Sequence, residues 1–182
     1  MMKIFSAILI ALLLVGLHAC SDNEDASAPV DNSSHSLTSN AQSVSKVLES
    51  QESIKNAVLN ELQEGRWELV MFWATYCPVC KKDFENLAKF IIDNPSINLT
   101  IVGVVTDGIE SKQKAIRQIN SRNLNYTHVL ANFDQSDELY QEITQSRLIG
   151  VPSQLLYNTS NELAGFSHNA IDLDALEIIV YE

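Results

Sequence analysis

The chain has 182 residues, 46% of them apolar and 19% charged, which suits one domain with appendages and excludes a wholly disordered chain or a coiled coil. Twelve Lys and Arg against 23 Asp and Glu give a formal net charge of −11, which repels phosphate backbones and argues against nucleic acid as a partner. Three cysteines, Cys20, Cys77 and Cys80, are too few for a disulfide scaffold or a complete structural zinc site, and their odd number requires a separate role for one.

The N-terminus reads as a leader. Lys3 supplies the positive charge, and the apolar run Ile4–Val15, about a dozen residues, has signal-peptide length and falls short of the roughly 20 that a membrane span needs. Leu17-His18-Ala19-Cys20 resembles the bacterial lipobox, with His18 departing from the usual small or aliphatic residue. The resemblance implies a lipoprotein signal peptide over 1–19 and acyl chains on Cys20, several of which anchor stably where one does not. Resemblance to the lipoprotein-sorting pattern of Gram-negative bacteria, in which Asp after the acceptor marks inner-membrane retention, implies with Ser21 the outer membrane over the inner. Residues 20–42 carry Asp22, Glu24, Asp25, Pro29 and Asp31 and little apolar content, and so read as a flexible acidic tether. His35 lies in it, solvated.

The domain follows over 43–182. Val44, Val47, Leu48, Ile54, Val58 and Leu62 fall largely on one helical face, so one helix is expected over 43–64, with a break allowed near Ser50 or Ser53 and an end at Gly65. Leu69–Ala74 is a continuous apolar run suited to a strand buried on both faces. A helix is expected from Pro78 to Asp93, its buried side marked by Cys80, Phe84, Leu87 and Ile91 and its end by Asn94-Pro95. Leu99–Val105 is the next strand, Glu110–Ser121 an amphipathic helix and Tyr126–Leu130 a short strand. Ser136–Ser146 is read as a helix with Asp137 and Glu138 in its first turn. After the loop Gly150-Val151-Pro152, Ser153–Tyr157 and Glu162–Phe166 flank a turn as a hairpin, and Asp172–Tyr181 closes the chain as a helix. Alternating strands and helices predict an α/β fold: a mostly parallel sheet, helices on both faces, and a C-terminal antiparallel hairpin.

Cys77-Pro78-Val79-Cys80 lies where a buried strand turns into a helix. At that helix N-terminus, free N–H groups and the dipole favour a Cys77 thiolate. Cys80, one turn on, lies beneath it, close enough to close a small disulfide ring. Cys77 is the expected nucleophile toward a partner's disulfide, and Cys80 the residue that resolves the mixed disulfide. Pro78 suits a first helical turn, where an N–H has no partner.

Phe72-Trp73-Ala74-Thr75-Tyr76-Cys77-Pro78-Val79-Cys80-Lys81-Lys82 resembles the active-site segment of thioredoxin-like proteins, and within them the extracytoplasmic TlpA, ResA and DsbE group of thiol–disulfide oxidoreductases. Gly150-Val151-Pro152-Ser153 resembles that superfamily's cis-proline loop. The resemblance spans about 66–182 and implies a thioredoxin fold with one inserted αβ unit, here 110–130. It also implies that Val151 and Pro152, with Pro78 and Val79, meet the substrate, and that Trp73 and Tyr76 shape the rim around Cys77. The sequence departs from the pattern in three places. Met71 stands where thioredoxin has a buried acid, Glu85 where a proline is common, and the helix at 43–64 where the group has a hairpin. Asp83 stands where TlpA-like proteins often have Glu, so it is either a base for Cys80 or a solvated surface acid.

The resemblance implies a protein-disulfide reductant that needs no cofactor beyond the redox-active Cys77–Cys80 pair. It also implies a periplasmic place at the membrane, cysteine-containing extracytoplasmic proteins as substrates, a thiol–disulfide electron donor or acceptor, and a monomer. Two alternatives remain: a disulfide oxidase of the same fold, and a copper metallochaperone using the soft thiolates. No metal site is expected, because neither His128 nor His168 has ligand spacing to the pair. Peroxidase chemistry is disfavoured, because Ala74 occupies the position three before Cys77 where peroxiredoxins carry Thr or Ser.

Overall fold

The computed structural model describes residues 45–49 and 53–181. Its sheet has six strands: β1 (Val47–Glu49), β2 (Trp67–Trp73), β3 (Leu99–Val105), β4 (Thr127–Leu130), β5 (Ser153–Tyr157) and β6 (Leu163–Ser167). Five helices join them: α1 (Ile54–Leu59), α2 (Pro78–Asp93), α3 (Lys112–Ser121), α4 (Phe133–Thr144) and α5 (Leu173–Tyr181). The order across the sheet is β1-β4-β3-β2-β5-β6. β2 runs parallel to β3 and antiparallel to β5, and β6 closes the hairpin at one edge. This is the expected thioredoxin fold, with α3 and β4 as the inserted unit.

β2 is central, and its composition explains why. Leu69, Met71 and Trp73 point into a core shared with α2, α3 and α5. Val70 and Phe72 point into the opposite core, against α1 and α4. A strand covered on both faces can be apolar at every position, and full burial stabilises each such side chain by about 1.5–3 kcal/mol. Register with β3 runs from Trp67 opposite Leu99 to Trp73 opposite Val105, so both strands end at the same rim.

Gly103 on β3 lies opposite His128 on β4. A Cβ at Gly103 would collide with the His128 imidazole and stand 3.1 Å from Trp73 Nε1, so only glycine fits. Gly65 has φ +87, a left-handed conformation that favours glycine, in the turn that feeds β2.

Two expectations are corrected. The single helix over 43–64 is replaced, among the described residues, by a strand and a short helix. Val47, Leu48 and Glu49 pair in parallel with His128, Val129 and Leu130, and α1 begins only after Ser53, whose side chain accepts the Lys55 amide proton. The helical spacing is real for Ile54 and Val58, whereas Val47 and Leu48 gain more by extending the edge of the sheet. The fourth helix begins at Phe133 rather than Ser136. Asn132 and Gln135 form a reciprocal capping box, and the first-turn acid is Asp134 rather than Asp137 or Glu138. Asp137 instead accepts from Arg147 Nε at 3.0 Å and the Leu148 amide at 2.8 Å, which holds its pKa down.

Candidate active site

The site forms where β2 ends and α2 begins. Cys77 is the N-cap of α2, in extended conformation (φ −91, ψ 104), and its Sγ accepts the Cys80 amide proton at 3.1 Å. Pro78 fills the first helical position, where no N–H is needed. Cys77 and Cys80 are disulfide-bonded, with Cα atoms 5.4 Å apart. Cys80 is fully buried and Cys77 half-buried, so only one sulfur is open to a large partner.

The segment before Cys77 is clamped from the neighbouring strand end. Asp107 takes the Thr75 amide at 2.9 Å and its hydroxyl at 2.5 Å, and Gln118 Nε2 donates to the Thr75 carbonyl at 3.0 Å. Thr106 donates to the Trp73 carbonyl through its amide at 2.8 Å and its hydroxyl at 3.2 Å. Sequence reasoning passed over Asp107 and Gln118. One signal was available for Asp107: it lies two residues past the end of β3, at the carboxyl end of a parallel strand, where α/β sheets place their sites.

The loop at 150–152 faces the pair. The Val151–Pro152 peptide is cis, and the Val151 carbonyl oxygen lies 3.8 Å from Cys77 Sγ. The rim is apolar. Tyr76 is 65% exposed and Val79 48%, and Ile149, which sequence reasoning did not single out, is 77% exposed. Trp73, expected at this rim, lies instead in the core at 1% exposure. It is the last residue of β2, and its ring meets Phe84 and His128 edge-on.

Asp83 is not a solvated surface acid. It is 3% exposed, one turn beyond Cys80 on α2, and its Oδ2 accepts the Ile171 amide proton at 3.2 Å. Burial pushes its pKa up, against the opposing pull of that hydrogen bond and of Lys82. It borders an open groove of about 500 Å³ with Pro78, Val79, Asn86 and Ile171. Met71, in place of thioredoxin's acid, is fully buried and has no charge to offer.

The two histidines separate. His128 is sealed in an aromatic cluster with Trp73, Phe84 and Tyr126. Burial pushes its pKa down to about 3, so it is neutral at physiological pH. Among the described residues, both His128 nitrogens, Trp73 Nε1 and the Tyr126 hydroxyl are buried without a hydrogen-bond partner. His168 hydrogen-bonds to Ser153 and Tyr140. Cys20 and His35 lie outside the described residues.

The AhpC/TSA family pattern matches residues 41–164. Over 101 residues the chain is 28% identical to the sporulation thiol–disulfide oxidoreductase A of Bacillus subtilis. That match takes in 55% of this chain and 58% of the relative, so the chain spans under two thirds of that protein. Among solved structures it is similar to the thioredoxin domain of a thiol–disulfide oxidoreductase from Bacteroides vulgatus, with TM-score 0.52 and 22% identity over 64% of this chain and 81% of that one. It is also similar to a thioredoxin-family thiol:disulfide interchange protein from Chlorobium tepidum, with TM-score 0.55 and 18% identity over 69% and 82%. At these identities the solved structures carry the fold.

Proposed function

The chain belongs to the AhpC/TSA family, and from that premise we propose that it is a lipid-anchored, extracytoplasmic thiol–disulfide oxidoreductase that reduces disulfides in proteins. The observation that carries the proposal is the asymmetry of the pair: Cys77 half-open at a helix N-terminus against the Val151 carbonyl, and Cys80 buried behind it.

In the reduced enzyme the Cys77 thiolate attacks one sulfur of a substrate disulfide. A Cys77–substrate disulfide forms, and the other substrate cysteine leaves as a thiolate that takes up a proton. Cys80 then attacks Cys77 Sγ, expelling the second substrate thiolate and leaving the Cys77–Cys80 disulfide. Two electrons pass to the substrate, and a dithiol donor must return them. Asp83, one turn from Cys80 and bordering the groove, is the base that takes the Cys80 proton. Tyr76, Val79 and Pro78 form the apolar rim on which the substrate rests, and Val151 presents its backbone to it.

Cys20 carries the anchor and 20–42 the tether. Fully extended, that tether spans about 75 Å at roughly 3.4 Å per residue. An anchor of that reach in the outer membrane favours a soluble extracytoplasmic thiol carrier as the electron donor over one held in the inner membrane.

Insulin reduction with dithiothreitol as terminal reductant tests the activity. Wild type is expected to accelerate precipitation of the insulin B chain, and Cys77→Ser to do nothing above background. Equal rates for the two proteins, or stoichiometric Cu(I) uptake without turnover, would overturn the proposal in favour of the binding alternative.

A further inference from the structure

Three hydrogen bonds link Tyr140, His168 and Ser153 to the substrate loop. Ser153, fully buried at the start of β5, donates its hydroxyl proton to the Gly150 carbonyl at 2.8 Å and so closes the loop across Val151 and Pro152. With that proton committed, Ser153 Oγ accepts from His168 Nδ1 at 3.2 Å. An imidazole protonated at Nδ1 leaves Nε2 as an acceptor; the Tyr140 hydroxyl lies 3.4 Å from it and 3.5 Å from the Ser167 carbonyl, and shares its proton between the two. Tyr140 is fully buried on α4, with the His168 ring 4.8 Å from its own. Burial pushes the Tyr140 pKa up to about 12, which keeps it an O–H donor. One further bond ties the same two segments: Gln154 Nε2 donates to the Asn169 carbonyl at 2.8 Å.

We infer that His168 is a positioning residue for substrate recognition: through Ser153 it holds the 150–153 loop so that the Val151 backbone faces a substrate bonded to Cys77. Here the chain begins at a buried tyrosine on α4, passes through a histidine just beyond β6, and ends on the loop whose next residue lies 3.8 Å from the reactive sulfur. The loop needs such support. Its own carbonyl at Gly150 is held by Ser153 alone among the described residues, and the His168 contact on Ser153 Oγ is a second restraint on that hydroxyl.

The inference rests on the oxidoreductase reading, and the experiment separates the two. Initial rates of insulin reduction are measured against insulin concentration for wild type, His168→Leu, His168→Gln, Ser153→Ala and the Ser153→Ala/His168→Leu double variant. Amide hydrogen exchange at Val151 and Ser153 is followed in parallel. His168→Leu is expected to raise KM for insulin about fivefold, the equivalent of one hydrogen bond near 1 kcal/mol. The reduction potential of the pair should not move, and both amides should exchange faster. His168→Gln, which keeps a donor and an acceptor, should restore KM and protection. The double variant should be no worse than the stronger single one, as members of one chain require. Wild-type KM and wild-type amide protection in His168→Leu would overturn the inference, as would single effects that add in full. If wild type itself shows no Cys77-dependent turnover, the oxidoreductase reading fails, and amide exchange alone then decides whether His168 positions the loop.

Discussion

Asp83 is held at a cost that its surroundings do not offset. A carboxyl at 3% exposure with one backbone hydrogen bond has its pKa raised by burial, so its ionised form is less favourable in the folded protein than in the unfolded chain. Because the folded pKa lies above the unfolded one, this residue disfavours the folded state most above its raised pKa, and not at all below the ordinary carboxylate value. Asp83→Asn, which can still accept from Ile171, should therefore be more stable than wild type at pH 7, with the advantage fading as pH falls toward 4 (thermal melts across that range). The same variant should turn over insulin roughly 10²-fold more slowly, at the low end for loss of a general base. A variant both more stable and fully active would remove Asp83 from the chemistry. His128 works with the opposite sign. Its folded pKa of about 3 lies below the unfolded value near 6.5, so stability is fully present above pH 6.5 and drains away as pH falls toward 3. From the two values, wild type should lose roughly 3 kcal/mol between neutral pH and pH 4 through this group. Urea titrations at the two pH values, repeated on His128→Leu, should show the loss shrink in the variant. The Cys77–Cys80 pairing and the cis-proline loop that faces it were legible at this scale because the spacing of the pair and the residues around it marked their places. Trp73 was misplaced because the run from Leu69 to Ala74, apolar at every position, gives no parity to tell rim from core.

At the scale of elements, the site depends on how closely β3 and β4 pack. Gly103 leaves room for His128, and His128 fills the space between Trp73 and Tyr126 behind α2. Gly103→Ala should destabilise by about 1–3 kcal/mol through overpacking, and His128→Ala in the same chain should recover part of that loss. Urea midpoints of the two single variants and the double variant check this. A Gly103→Ala protein as stable as wild type would mean that the two side chains do not meet. Elements from β2 to β6 were readable because long apolar runs alternate with amphipathic ones. The segment before Gly65 was not. Val47 and Leu48 sit in helical phase with Ile54 and Val58, and nothing local shows that a strand 81 residues later offers them an edge. Helix α4 was placed three residues late because its Asn132–Gln135 capping box was overlooked while the acids at Asp137 and Glu138 were taken as its start.

Across the molecule, three separate stretches of chain meet at one rim of the sheet. β2 delivers Cys77, the end of β3 delivers Asp107 to brace Thr75, and the 150–153 loop delivers Val151. β2 and β3 run parallel and end together, and β5, antiparallel to β2, starts at the same rim, so the loop before it lies alongside. The family resemblance, rather than the order of elements, pointed to that loop. The bracing residues were not legible, because Asp107, Gln118 and His168 act across 15 to 43 residues of sequence on groups whose nearness depends on the finished fold. The central claim is that Cys77 attacks and Cys80 resolves. The most direct test mixes reduced Cys80→Ala with insulin, without dithiothreitol, and examines the products by non-reducing electrophoresis and mass spectrometry. We expect Cys80→Ala to accumulate a mixed disulfide with an insulin chain mapped to Cys77, released by added thiol, and Cys77→Ala to form none. An adduct formed equally well by Cys77→Ala, or by neither variant, would contradict the account.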